Sequence, residues 1–186
     1  MIEALSNIAA SFGLSASAGL NAYLPLLIVA VTARFTDLIR LNAPFDALTS
    51  GWSIAVLVIL TLVEILADKI PVLDTVNDVV QTLVRPTAGA ILFAASSNVI
   101  SDIHPVLALI CGILVAGTVH AAKATARPLI TATTAGTANP LVSAVEDIIS
   151  GITSILSILV PIVALVLITV GVLLILHSLQ RGKAYT

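Results

Sequence analysis

Apolar residues run along this chain in long blocks separated by short polar windows. A spanning helix needs about 20 mainly apolar residues, and four blocks meet or approach that length. They are Leu14 to Arg34, preceded by a shorter apolar piece from Ala4; Gly51 to Ala67; Ile103 to Ala122; and Gly151 to Leu176. Trp52 is placed to sit at an interface at the start of the second block. The fourth block is long enough to tilt or kink, and Pro161 is the expected kink.

Two further stretches are too short or too polar for ordinary spans. Asp74 to Arg85 predicts an amphipathic helix, followed by a short apolar piece from Thr87 to Ala95. Lys123 to Asp147 is rich in Ala and Thr, and Pro128, Gly136 and Pro140 interrupt it. Interrupted segments at membrane depth point to broken or re-entrant helices, which persist only where protein buries them or where they line a wet cavity. A faint internal repeat runs through both halves: a span, a charged turn, an Arg-Pro pair, then small residues. Ser17-Ala18-Gly19, Thr87-Ala88-Gly89 and Thr134-Ala135-Gly136 echo one another within it.

Composition agrees with the blocks. The 186 residues are 59% hydrophobic and only 10% charged, with a mean hydropathy of +1.15, whereas a soluble domain is about a quarter charged. The expectation is one all-α transmembrane domain over residues 1–186, a polytopic helical bundle of four to six crossings with broken or re-entrant segments. A net charge of −2 leaves no basic footprint for nucleic acid. Cys111 is the sole cysteine, so no intrachain disulfide is possible. Glu3 and the lack of a basic n-region argue against a cleaved signal peptide. Lys and Arg flank every connection except Ser96 to His104. That connection is therefore expected outside the cytoplasm and the tail inside.

The charges carry the functional lead. Of eighteen Asp, Glu, Lys and Arg residues, ten fall between Glu64 and Arg85 or between His120 and Asp147. Ionisable groups beside membrane spans are expensive, and they usually face a polar interior. Asp74, Asp78, Gln81 and Arg85 share one helical face bordered by Asn77. Glu64 and Asp68 form an i, i+4 pair with Lys69 beside it; Lys69 and Lys123 have side chains long enough to snorkel. His120, Lys123 and Arg127 make a basic face, and Glu146 and Asp147 follow Asn139 and Ser143. Acidic and basic clusters on different segments can neutralise each other across a bundle. A purely structural ion-pair network is the chief competitor to a functional one.

No strong catalytic or metal motif is present. The spacing of carboxylates with His120 matches no metal signature, and there is no nucleophile elbow, P-loop or GxGxxG. Lys123-Ala-Thr-Ala-Arg127-Pro128 has the phosphate-gripping pair of membrane phosphatidic-acid phosphatases at too short a gap, and no Pro-Ser-Gly-His follows. The Asp pairs lack the framework of CDP-alcohol phosphotransferases. No cofactor is expected. Ser15, Ser17, Gly19, Asn21 and Pro25 interrupt the first block and suit close helix packing, with an unwound ligand site as the alternative. Gly117, Thr118, Ala121, Ala122 and Ala126 are expected to form a packing face.

Four stretches together resemble small bacterial multi-pass proteins grouped as a domain of unknown function. These are Ser15-Ala-Ser-Ala-Gly-Leu-Asn-Ala-Tyr-Leu-Pro25; Ala67-Asp-Lys-Ile-Pro71 with Asp74, Asn77 and Asp78; Arg85-Pro-Thr-Ala-Gly89; and His120-Ala-Ala-Lys-Ala-Thr-Ala-Arg-Pro128. The resemblance covers nearly the whole chain. It implies an integral membrane protein, with a bacterial inner (plasma) membrane as its location, and it supplies no activity and no functional residue.

The leading expectation is a small transporter or channel with a polar pathway between the two Arg-Pro segments. Arg85, Lys123 and Arg127 would attract an anionic group, and Asp68, Asp74, Asp78 and Glu146 would balance them or relay protons. His120, titrating nearest neutral pH, is the natural switch. Membrane lipids are the expected surroundings, with a homo-oligomer or a larger membrane complex around the chain. The alternatives are an assembly subunit of such a complex, or a lipid-headgroup enzyme or lipid translocase. All depend on whether the two charged windows meet in space, which spacing alone does not decide.

Overall fold

The computed structural model describes residues 2–97, 103–161, 163, 166, 167, 169–171 and 173, with backbone alone at 2–4, 71–76 and 97. The described residues contain no strand. They form α1 (Ile2–Leu20), α2 (Tyr23–Phe35), a short 3-10 turn (Phe45–Thr49), α3 (Gly51–Ala67), α4 (Pro71–Ser97), α5 (Pro105–Thr134) and α6 (Asn139–Leu159). Residues 77–96 of α4, and all of α5 and α6, are long and apolar enough to cross a membrane, while α2 and α3 are shorter apolar helices. The chain is a helical membrane bundle, as its composition requires.

Local chemistry marks the helix ends. The Ser50 hydroxyl accepts from the Ser53 N–H at the start of α3, and His104 Nδ1 accepts from the Val106 N–H at the start of α5. Pro71, Pro105 and Pro140 stand in first turns, where a missing N–H costs nothing. At the end of α5 the chain reverses through Ala135 and Gly136, with φ of 50° and 79°. Glycine takes such a conformation without strain.

Among the described residues, successive helices fold back on one another. Leu14 of α1 and Ile39, which follows α2, wall the same cavity, so α2 runs back along α1. The turn between them, at Asn21 and Ala22, is fully buried. At thirteen residues α2 rises about 20 Å, short of the roughly 30 Å hydrocarbon core. Thus α1 and α2 make a hairpin whose tip is buried inside the bundle. Glu64 beside Ala22 and Arg34 beside Thr49 make α3 antiparallel to α2. Antiparallel α4 and α5 follow, and α6 lies along α1, with Ser150 Oγ donating to the Ser17 carbonyl at 3.0 Å.

Small residues set the approach of α4 to α5. A Cβ at Gly89 would collide with Ala116 Cβ and sit 2.8 Å from the Gly112 carbonyl. A Cβ at Gly112 would collide with the Gly89 carbonyl. On α5 the packed stripe is Ala108, Gly112 and Ala116, and it continues directly into buried His120, Lys123 and Arg127. The expected packing face is displaced: Thr118, Ala121, Ala122 and Ala126 are exposed. Two small-residue stripes run along this helix, and the buried one is the stripe whose continuation carries the charges.

Three other boundaries differ from expectation. The first block is two helices joined at Asn21–Ala22, with the piece from Ala4 absorbed into α1. The Asp74 to Ala95 region is one helix that passes through Pro86, and α5 likewise passes through Pro128. Interior prolines survive where neighbouring helices support the turn they weaken. The fourth span begins at Asn139, not Gly151; its helix breaks at Val160, and the described residues 161, 163, 166, 167, 169–171 and 173 are again helical, so the interruption falls at the expected Pro161. A buried stripe of Ser143, Ser150 and Ser154 had disguised its first half as polar. The connection at 98–102 and the tail from 174, used above to orient the chain, lie outside the described residues.

Enlarging the helix contact should be costly. Gly112→Val is expected to destabilise the protein by about 1–3 kcal/mol through overpacking. Gly151→Ala, where a Cβ meets Leu24 at an ordinary 3.5 Å, should be near neutral. Thermal unfolding of both variants in detergent measures the contrast.

Candidate functional site

The tip of the α1–α2 hairpin is where the charges gather. A helix start exposes four N–H groups, and at α2 each is accounted for. Ala22 N–H donates to both Glu64 carboxylate oxygens at 3.3 and 3.2 Å, and Tyr23 N–H donates to Oε2 at 3.4 Å. Leu24 N–H donates to Asn21 Oδ1 at 2.9 Å, and Pro25 has no N–H. Glu64 therefore supplies an anion to the positive end of α2. At the carboxyl end of α1, Lys123 Nζ donates to the Leu20 carbonyl at 3.3 Å. Asn21 Nδ2 donates to Asp147 Oδ1 at 2.9 Å, tying the turn to α6.

From this tip an ion network spreads through the bundle. Arg85, 0% exposed, donates from Nη2 to Glu64 Oε1 at 3.2 Å and lies 3.7 Å from Asp78 Oδ1. Lys123 pairs with Glu146 at 2.9 Å and Asp68 at 3.8 Å. Arg127 reaches Glu146 at 3.0 Å, Asp78 at 3.5 Å, Asp68 at 3.9 Å and the Ser143 hydroxyl at 2.6 Å. Asn77 donates to Asp68 at 2.8 Å. His120 lies between Arg85 Nη1, 3.0 Å from its Nδ1, and Thr82 Oγ1, 3.2 Å from its Nε2. The two charged windows meet: the 3.5 Å Asp78–Arg127 pair joins them directly.

Most residues singled out from sequence lie here. Glu64, Asp68, Asn77, Asp78, Arg85, His120, Lys123, Arg127, Glu146 and Asp147 join the network, and Gln81 is buried on the same face of α4 between Asp78 and Arg85. Lys69 does not; it is exposed, and its Nζ donates to the Ile65 carbonyl one turn back. Its long chain lets the ammonium stay at the surface while neighbouring Asp68 turns inward. Asn139 exchanges hydrogen bonds with Thr131 at the edge of a cavity. The Asp74 side chain lies outside the described residues. The sequence reading gave no functional part to Thr82 or Ser143, and placed Asn21 in packing first. Asn21 followed four positions on by Pro25 was the available signal, since a capping residue before a proline marks a helix restart.

Two cavities lie along the bundle. One, of about 950 Å³, lies among α4, α5 and the start of α6, and Asp78, His120 and Arg127 stand in its wall. Thr82 and Ala124 are there too; Pro86 and Pro128, four residues on from each, offer their carbonyls no N–H. The other, of about 410 Å³, lies toward the opposite end of α1 and is walled by Asn7, Leu14, Ser96 and Ser157. From Leu14 to Leu20 at the network is about 9 Å of helix rise. Across that interval Ser17 meets Ser150 and Ser154, the last at 2.9 Å between hydroxyl oxygens.

Residues 8–181 match the family described as a domain of unknown function, DUF4126. The chain belongs to that family. No curated protein and no solved structure matches it. Membership of DUF4126 confirms the resemblance read from the sequence and brings no activity with it, so the chemistry of the site rests on its geometry. Among the described residues no group of three His, Cys, Asp or Glu is placed to hold a metal ion.

Buried pairs of this kind are costly to halve. Arg85→Met should destabilise the protein by about 3–5 kcal/mol by leaving Glu64 uncompensated. Combining Arg85→Met with Glu64→Gln should cost clearly less than the sum of the two single changes. Unfolding of the three variants in detergent gives the coupling, and simple additivity would show that the pair is not a unit.

Proposed function

We propose that this protein is a small membrane transporter or channel whose polar pathway passes through the ion network at the hairpin tip. One observation carries the reading: a largely buried charge network at the tip of the α1–α2 hairpin, with one cavity against it and a second farther along α1. A re-entrant hairpin is tolerated at membrane depth where protein buries it or where it lines a wet cavity, and intramembrane charges mark solute and proton routes. The three cations are already engaged by carboxylates, so they favour a rearrangeable network over a fixed anion trap. A bacterial inner membrane is the location that accords with this reading, with lipids around the bundle and a homo-oligomer as the working state for so short a chain.

A second reading has support of its own. The same ion pairs join α3, α4, α5 and α6, so they could serve only to lock the bundle as a subunit of a larger membrane complex. Flux separates the two. Purified protein in liposomes should pass at least one of H⁺, Na⁺, K⁺ or Cl⁻ above the protein-free rate. Arg127→Gln should abolish that flux while the protein remains inserted and monodisperse. Silent wild-type protein that co-purifies with a stoichiometric partner would favour the subunit reading.

A further inference from the structure

The network is not balanced in charge. Five described carboxylates, those of Glu64, Asp68, Asp78, Glu146 and Asp147, share the interior with the three cations Arg85, Lys123 and Arg127. His120 does not make up the difference. Its Nδ1 faces Arg85 Nη1 at 3.0 Å, and a guanidinium nitrogen can only donate. Nδ1 must therefore accept, the ring proton is on Nε2, and Nε2–H donates to Thr82 Oγ1 at 3.2 Å. Thr82 in turn donates to the Asp78 carbonyl at 2.9 Å. With the imidazole neutral, the cluster holds more carboxyl groups than cations, and an apolar interior accepts that excess only if protons or other positive charge offset it.

Unpartnered atoms indicate where that charge belongs. Among the described residues, three buried side-chain atoms have no hydrogen-bond partner: Asp78 Oδ1, Gln81 Oε1 and Arg85 Nε. Two are acceptors on one face of α4, and Gln81 is only 1% exposed. Asp78 is also the one described carboxylate that stands in the wall of the large cavity, and its side chain is 25% exposed. The charged and titratable groups around it are Glu64 and Asp68 from α3 and its end, Arg85 from α4, His120, Lys123 and Arg127 from α5, and Glu146 and Asp147 from α6. Among the described residues α1 and α2 bring no charged group to this level.

We propose that Asp78 binds an exchangeable proton taken from the large cavity, so that hydrogen ion is the cation this pathway carries. The inference rests on the transport reading and gives it a substrate. A carboxylate oxygen of Asp78 gains the proton, and the O–H so formed can be offered to Gln81 Oε1 one turn along α4. Neutral Asp78 releases its hold on Arg85 at 3.7 Å and on Arg127 at 3.5 Å. Neither guanidinium is stranded, because Arg85 keeps Glu64 and Arg127 keeps Glu146 and Ser143. Proton binding therefore loosens α4 from α5 at the cavity without leaving an isolated buried charge, and loss of the proton restores the contact.

The test uses the whole protein in phosphatidylcholine–phosphatidylglycerol liposomes with a trapped pH dye, driven by a potassium gradient and valinomycin. Wild-type vesicles should acidify faster than protein-free ones. Asp78→Asn should fall to the protein-free rate, and Asp78→Glu, which keeps a carboxyl group, should retain flux. Undiminished proton flux in Asp78→Asn would overturn the proposal. Movement of Na⁺, K⁺ or Cl⁻ without protons would overturn the proton assignment and leave transport standing, whereas no flux of any ion would overturn both. Should Asp78→Asn fail to fold, infrared spectra decide. A protonated-carboxyl stretch at neutral pH that shifts in Asp78→Glu supports the proposal, and its absence from wild-type protein overturns it.

Discussion

A helix that begins inside an apolar bundle must find acceptors for its first N–H groups, and in this protein Glu64 provides them for α2. Two backbone donors, a helix dipole and the Arg85 guanidinium converge on that one carboxylate. Remove it, and the hairpin tip would present unsatisfied polar groups to hydrocarbon, at several kcal/mol each. The rest of the site follows from that requirement. Glu64 needs a counter-charge, which is Arg85; Arg85 brings Asp78 and His120; and the outgoing carbonyl of α1 draws Lys123, which brings Asp68 and Glu146.

Such a network does two things at once. It fixes the register of α3, α4, α5 and α6 around the tip, and it keeps ionisable groups at a depth where each change of protonation alters which helices attract one another. Because the cations contact several carboxylates apiece, losing one contact does not strand a charge. That redundancy separates a network able to rearrange from a single buried pair, whose halves are too costly to part.

Much of this was legible from sequence and some was not. The all-helical membrane class and the helix Gly51–Ala67 followed from apolar block length, and the two charged windows from the rarity of charge elsewhere. Their meeting could not be read, because the Asp78–Arg127 contact joins α4 and α5 across a long sequence separation. The first block read as one crossing because α1 and α2 are both apolar and the turn spends only Asn21 and Ala22. The Arg-Pro pairs read as breaks because proline usually ends helices, yet α4 and α5 continue through them. Lys69 was grouped with Asp68 by adjacency, although neighbouring residues on a helix face different ways.

If the proposed pathway runs through the hairpin tip, the two cavities open to opposite sides of the membrane, and cysteine accessibility tests this most directly. In a Cys111→Ser background, single cysteines at Thr131 for the large cavity and at Asn7 for the small one would be treated with a membrane-impermeant maleimide in oriented vesicles. The expected result is labelling of both, from opposite faces. Labelling of both from the same face, or of neither, would contradict a pathway through the hairpin tip.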